Sequence, residues 1–577
     1  MLGYPKQEVV ASGFTCFLGD ETFFWKGFLV MDTGVFQDSD PPPAETDESA
    51  RSSKTFNSIS SASQRLLAFI DRWSEKIGDS VNPILVKEMR QALKSRQFLV
   101  TFSLLLLAAL GWTIIGSLMR MPQIYTTPTG PFMLVGYYVV LAVPMLLVVP
   151  LAAYRSLESE IDDGTLELLS ISVLSPWQIV LGKLSSAALQ MTLYFVALFP
   201  CVAFAYTLRG VDLPTLVIVM GFLLVSGLML TTLAICLAPQ SRSRNGRIVT
   251  LLMVISILLL GEYGIGTAAI SMLRYGIPFE SEMIWFTVVF ALLTSLALGH
   301  LLVTTTAMML TPESENRSTR IRVALLILTA VLVGLNAYSV QAFGEIAIVF
   351  GIASMGTLLV LWMSAAAMMV AESPSMTPRI RRELPATFVS RMLLTFFTPG
   401  PATGLVFGCI GVVTLLLLMN VGVDFVLERI SLQRRMGSTA QAMKMMSWLF
   451  AAYVTIFLTL SRVLVALVRK VQNVRVEFGL ASLAIIGVLS ALVPYSAQVY
   501  MEETMQLTYS NWQITNWVWT ISEAAQSRLP EHVPIIVGSC AAATALLAVG
   551  LSSGMVAPQK LMVPERVRQE ELQSTRG

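Results

Sequence analysis

Apolar runs of roughly 20 residues, each bounded by a charged or turn-rich stretch, recur along almost the whole chain, and no other feature constrains it as strongly. Inside a bilayer every backbone N–H and C=O must be bonded within the protein, which only helices and closed barrels achieve. Barrel strands alternate in polarity over about 10 residues, and these runs do not alternate. Composition agrees: 55% of residues are apolar, 13% are charged and the mean hydropathy is +0.69. Soluble domains carry roughly 25% charged residues. The sequence therefore predicts an all-α, polytopic helical membrane protein and excludes a soluble globular one.

Spans are expected at about 98–118, 132–153, 186–208, 214–237, 248–272 and 283–310, then at 323–343, 346–371, 402–422, 447–467, 479–500 and 534–556. These are about 12 transmembrane helices in two six-helix sets, 98–310 and 311–556. The run 283–310 is long for a 30 Å core, which predicts tilt or an extension beyond the membrane. Alternate loops hold 23 Lys and Arg on one side and 8 on the other. Cytoplasmic loops retain cations, so an inner, cytoplasmic membrane with both termini cytoplasmic is expected. The loop 423–446 supplies four of the eight (Arg429, Arg434, Arg435 and Lys444), and the alternation is weakest there.

Residues 1–80 read as a mostly disordered cytoplasmic tail. The Pro41-Pro42-Pro43 run, Asp47-Glu48 and the Ser/Ala-rich stretch through 63 hold too little apolar surface to order. Residues 1–30 have neither the basic start nor the apolar core of a signal peptide. Met31, just ahead of the polar stretch, is a candidate for the residue at which translation begins. Residues 557–577 form a cytoplasmic tail.

Five cysteines lie far apart with no C-x-x-C pair, and the chain has two histidines, His300 and His532. Neither a metal site nor a disulfide framework is expected. Basic residues are scattered among loops, which argues against nucleic acid as a partner. A phosphate-cradling G-x-x-x-x-G-K-[ST] motif is missing, Gly182-Lys183-Leu184 being the nearest approach, so the chain is expected not to hydrolyse ATP.

Two segments carry more information. Residues 81–97, Asn82-Pro83 through Arg96, place Leu85, Met89, Ala92 and Leu93 at helical spacing, while Lys87, Arg90 and Lys94 lie on other faces. Such a helix suits the membrane interface, apolar face down and cations among lipid headgroups. The second segment, 154–185, carries Glu158, Glu160, Asp162, Asp163 and Glu167 against Arg155, on a side that otherwise gathers cations. Gly164 suits a helix end, Thr165 can cap a short helix bearing Leu166 and Leu169, and Ser175-Pro176 suits an N-cap with proline in the first turn. A helix-turn-helix knob with acidic and leucine surfaces is expected.

The acidic run, the block Gly164-Thr165-Leu166-Glu167-Leu168-Leu169, Pro176 and Gly182-Lys183, preceded by an amphipathic helix, resemble the membrane subunits of ABC-2 type ABC transporters over residues 82–310. The resemblance implies a permease, in a family of mostly exporters, that couples to a separate cytoplasmic P-loop ATPase subunit. That partner would hold ATP-Mg, and this chain would bind no cofactor. Carried over, Glu158, Glu160, Asp163, Gly164, Thr165, Leu166, Glu167, Pro176 and Lys183 become an ATPase-coupling surface, and Pro83, Glu88, Arg90 and Lys94 mark the interfacial helix. Membrane lipid is a further expected partner. A homodimer, or a pseudo-dimer of the two sets within one chain, is the expected assembly.

The second set departs from the family. Its loop 372–401 is topologically equivalent to 154–185, yet it carries Arg379, Arg381, Arg382 and Arg391 with five prolines and has no Gly-Thr-Leu-Glu block. A degenerate second transport unit and an accessory bundle both fit. Glu262, flanked by Gly261 and Gly264, is a candidate for the transport path in a broken or re-entrant helix. His300 reads as a satisfied interhelical hydrogen bond. Asn336, Gln341 and Glu345 read as hydrated span ends, and Trp512, Trp517 and Trp519 as an interfacial belt over residues 505–521. Three other readings remain, one of them a non-transporting membrane anchor or sensor bound to an ATPase. An ion-coupled secondary transporter needs more charge at mid-membrane, and a membrane-embedded lipid-linked transferase needs clustered carboxylates, of which 501–533 offers only scattered ones.

Overall fold

The computed structural model describes residues 83–122, 124, 126–164, 175–240, 244–311, 315–344, 347–372, 387–429, 433–471, 474–501 and 508–552. The expected tails and Glu345 lie outside them. The described residues are helical with no strand, and eleven helices are long and apolar enough to cross a membrane. The protein is a polytopic helical membrane protein.

The first set opens with α1 (Pro83–Lys94), shorter than the expected 81–97. Ser95 ends it and caps the first span, α2 (Arg96–Met119), accepting the Phe98 amide at 3.1 Å. The second span has three parts: α3 (Gly130–Ala142), a wide π turn (Val143–Val148) and α4 (Val149–Asp162). Pro144 and Pro150 lack the N–H that an α-helix needs there, and the Val149 amide bonds instead to the Pro144 carbonyl. The third to sixth spans are α5 (Pro176–Thr207), α6 (Leu213–Leu237), α7 (Arg244–Tyr275) and α8 (Glu282–Leu310). Ser175 caps α5 as expected, its hydroxyl and the Gln178 side chain forming a reciprocal capping box.

The second set follows as α9 (Ser318–Phe343), α10 (Ala347–Val370), the short α11 (Phe388–Thr395), α12 (Pro401–Arg429), α13 (Gln433–Arg469) and α14 (Glu477–Met501). A 3-10 turn (Asn511–Thr515), α15 (Trp517–Ala525) and α16 (His532–Ser552) complete it. The twelfth expected span corresponds to α16, the shortest of the apolar helices.

Lipid tails are as apolar as leucine, so close approach and internal polar contacts hold such helices together. Tyr137 and Tyr138 of α3 and Tyr194 of α5 are fully buried, and the Tyr137 hydroxyl meets Thr113 at 2.7 Å. In the second set a β-carbon on Gly479 would lie 2.0 Å from the Ala367 carbonyl, so α14 touches the backbone of α10. Ile321 of α9 packs on the first set's lower core, and Leu301 of α8 belongs to the second set's core. The two sets therefore join along α8 and α9.

Three single-residue expectations need correcting. The helix around Glu262 is neither broken nor re-entrant, because α7 runs unbroken from Arg244 to Tyr275 and its glycines keep helical bonds. His300 is exposed and lies beside the Trp177 ring, centroids 5.7 Å apart, in place of an interhelical hydrogen bond. Asn336 is no hydrated end: it is 8% exposed and its amide donates to Ser354 Oγ of α10 at 2.6 Å and to the Leu332 carbonyl.

Candidate functional site

The end of α4 and the start of α5 lie on one face of the helix array, beside α1. Ser156 and Glu160 are four residues apart on α4 and share a face. Lys183, two turns into α5, reaches between them: its Nζ donates to Ser156 Oγ at 2.9 Å and to Glu160 Oε1 at 2.8 Å. On its other side the same ammonium lies 3.6 Å from Glu88 Oε1 of α1. The Lys183 side chain is 2% exposed, against 12% for Glu88 and 24% for Glu160. One buried cation therefore holds three helices, and its charge is met by two carboxylates that keep partial access to water. Burying an ammonium without such partners costs several kcal/mol, on the order of 3–5 when one side of a pair is deleted.

Around this cluster the acidic run divides. Glu158 accepts the Tyr154 hydroxyl at 3.3 Å, four residues back on the same helix. Asp162 is ion-paired with Arg247 of α7. Glu160, Glu158 and Asp162 thus each have a partner in the fold. Asp163 differs. It is the exposed C-cap of α4, where a carboxylate meets the negative end of the helix dipole at a cost of roughly 0.3–1 kcal/mol. Gly164 follows at φ +67, in the left-handed region that glycine enters freely. Among the described residues no atom lies within 4 Å of its missing β-carbon, and it is the backbone shape that requires glycine there.

Of the residues singled out from sequence, the fold brings Glu88, Glu160 and Lys183 into one cluster. Pro83 starts α1, and Arg90 and Lys94 are exposed on its outer side. Pro176 is the first residue of α5. Thr165, Leu166 and Glu167 lie outside the described residues. Glu262 is not part of the site, since it follows Arg247 by 15 residues on α7, roughly 22 Å along the axis. Sequence reasoning gave no role to Ser156 or Arg247. The i, i+4 spacing of Ser156 and Glu160 was a usable signal, but the Arg247 pairing spans 85 residues and has no local one.

A second polar cluster lies at the ends of α9, α10 and α12. Arg322 of α9 is 0% exposed, donates to the Phe396 carbonyl and pairs with Glu372 at 3.2 Å. The Gly400 amide donates to the same Glu372 oxygen at 2.7 Å. Burial pushes the Glu372 carboxyl up, while Arg322 and the Gly400 amide pull it back. This cluster clamps the segment entering α12. In the equivalent loop of the second set, Arg379, Arg381 and Arg382 lie outside the described residues. No family model, curated protein or solved structure matches the chain. Among the described residues no group of three or more His, Cys, Asp or Glu could hold a metal ion.

Proposed function

We propose that the protein is the membrane subunit of an ABC-2 type ATP-driven exporter, moved by a separate cytoplasmic P-loop ATPase that binds ATP-Mg. One observation carries the reading: Lys183 ties the interfacial helix α1 to both the helix entering the acidic loop and the helix leaving it. A partner pressing on that loop thereby moves α1, α4 and α5 together. Such a rigid unit is what converts a local contact change into a rearrangement of spans. The exposed Asp163-Gly164 corner is the described part of the contact, and Thr165, Leu166 and Glu167 continue it in sequence. The excess of Lys and Arg on the loops of this side supports a cytoplasmic position for it, and an inner, cytoplasmic membrane belongs to the same reading.

Affinity purification in mild detergent tests the proposal, with intact protein beside Asp163→Arg and Glu167→Arg. The intact chain should recover a P-loop ATPase and both variants should lose it. Reconstituted with that ATPase, the protein should move substrate only with ATP. Purification free of any ATPase, with flux that follows a proton or sodium gradient, would overturn the reading.

A further inference from the structure

A cavity of about 230 Å³ opens between the end of α10, the start of α12 and the last two turns of α13. Its wall on α13 is Arg462, Val465, Ala466 and Arg469, the i, i+3, i+4, i+7 face of one helix, with Lys470 just past the helix end. Val370 and Pro401 close the other sides. Among the described residues the lining is thus three cations set in an apolar frame, with no carboxylate in it. Glu372, two residues beyond Val370, is engaged by Arg322 and the Gly400 amide.

Three features decide what this cavity suits. Arg469 spends one N–H on the Ala371 carbonyl at 2.8 Å, and a guanidinium has five. Arg462 is 5% exposed and sits seven residues deeper on the same helix, about 10 Å below Arg469. Val463 and Leu467, between the cations, and Leu460, just below Arg462, are exposed hydrocarbon on the same helix. A small soluble anion has no use for apolar walls or for a cation one lipid-segment deep. A molecule with a phosphate at the interface and ester and acyl groups beneath it matches both.

We propose that this cavity binds the headgroup of an anionic glycerophospholipid. Arg469 and Lys470 take the phosphate, Arg462 faces the glycerol esters, and the acyl chains run on past Leu460, the exposed residue just below Arg462 on α13. The site belongs to the second set and is separate from the α1, α4 and α5 cluster.

The test uses the full-length protein, delipidated in detergent, with native mass spectrometry and thermal unfolding as readouts. Phosphatidylglycerol, phosphatidylcholine and inorganic phosphate are titrated separately. Wild type should bind and be stabilised by phosphatidylglycerol in preference to phosphatidylcholine, and inorganic phosphate should neither stabilise it nor compete. Arg469→Gln with Lys470→Gln should weaken phosphatidylglycerol by roughly 25-fold, about 5-fold for each cation removed near the membrane surface. Arg475→Gln, on the same loop but outside the cavity, should leave binding unchanged. Equal binding of the two lipids by wild type overturns the proposal whatever the variants do. So does a double variant with wild-type affinity, or competition by inorganic phosphate at the same concentration as the lipid.

Discussion

Removing both carboxylates that face Lys183 leaves an ammonium with a 2% exposed side chain and only a hydroxyl for company. Glu160→Gln alone leaves Glu88 at 3.6 Å, and Glu88→Gln alone leaves Glu160 at 2.8 Å, so each single change should cost about 1 kcal/mol. The double variant has no carboxylate within ion-pairing distance and should cost about 3–5 kcal/mol, more than the two singles together. Adding Lys183→Met to the double variant should recover most of that loss, because a neutral chain of similar volume needs no counter-charge. Lys183→Met by itself should cost about 1–2 kcal/mol, since Glu88 and Glu160 keep a route to water. Equilibrium unfolding in mixed micelles titrated with SDS, monitored by tryptophan fluorescence, gives all five values. A triple variant no more stable than the double, or strictly additive singles, would refute the shared-cation account.

Two further outcomes follow from packing and burial. Gly479→Ala should destabilise the second set by about 1–3 kcal/mol, because its β-carbon would lie 2.0 Å from a backbone oxygen; Gly356→Ala on α10, with nothing within 4 Å, should be neutral or stabilising by about 0.5–1 kcal/mol, and melting curves in one detergent compare them. Burial raises the Tyr509 hydroxyl above its ordinary pKa of 10.0, so its share of stability is complete below pH 10 and is lost as pH rises beyond it; Tyr509→Phe should flatten that part of the stability profile.

The spans were legible because the bilayer imposes a length and a polarity on each one, and a run such as 214–237 shows both without reference to any neighbour. The capped start of α5 at Ser175-Pro176 and the left-handed Gly164 were legible for the same reason, since caps and turns act over a few residues. What failed depended on the third dimension. Asn336 reads as a wet helix end until α10 brings Ser354 against it, and His300 reads as an interhelical hydrogen bond until α8 turns it outward beside Trp177. Within the candidate site, the types of Glu88, Glu160 and Lys183 were recognisable and their convergence was not, because it depends on how α1 lies against α5. The acidity of 154–185 overstated the open surface, as Arg247 and Lys183 lie on other helices.

The wide turn at Val143–Val148 gives the second span a property that its neighbours lack. There one residue more than an α-turn needs is held in the ring closed by Val149 and Pro144. Relaxing that ring to ordinary helix shifts the register below it by one residue, and each residue is about 100° of rotation about the axis. Ser156 and Glu160 would then swing away from Lys183 while α3 stayed in place. The direction in which Ser156 and Glu160 face is thus set by a single extra residue in the turn that precedes them, a turn that Pro144 and Pro150 hold open.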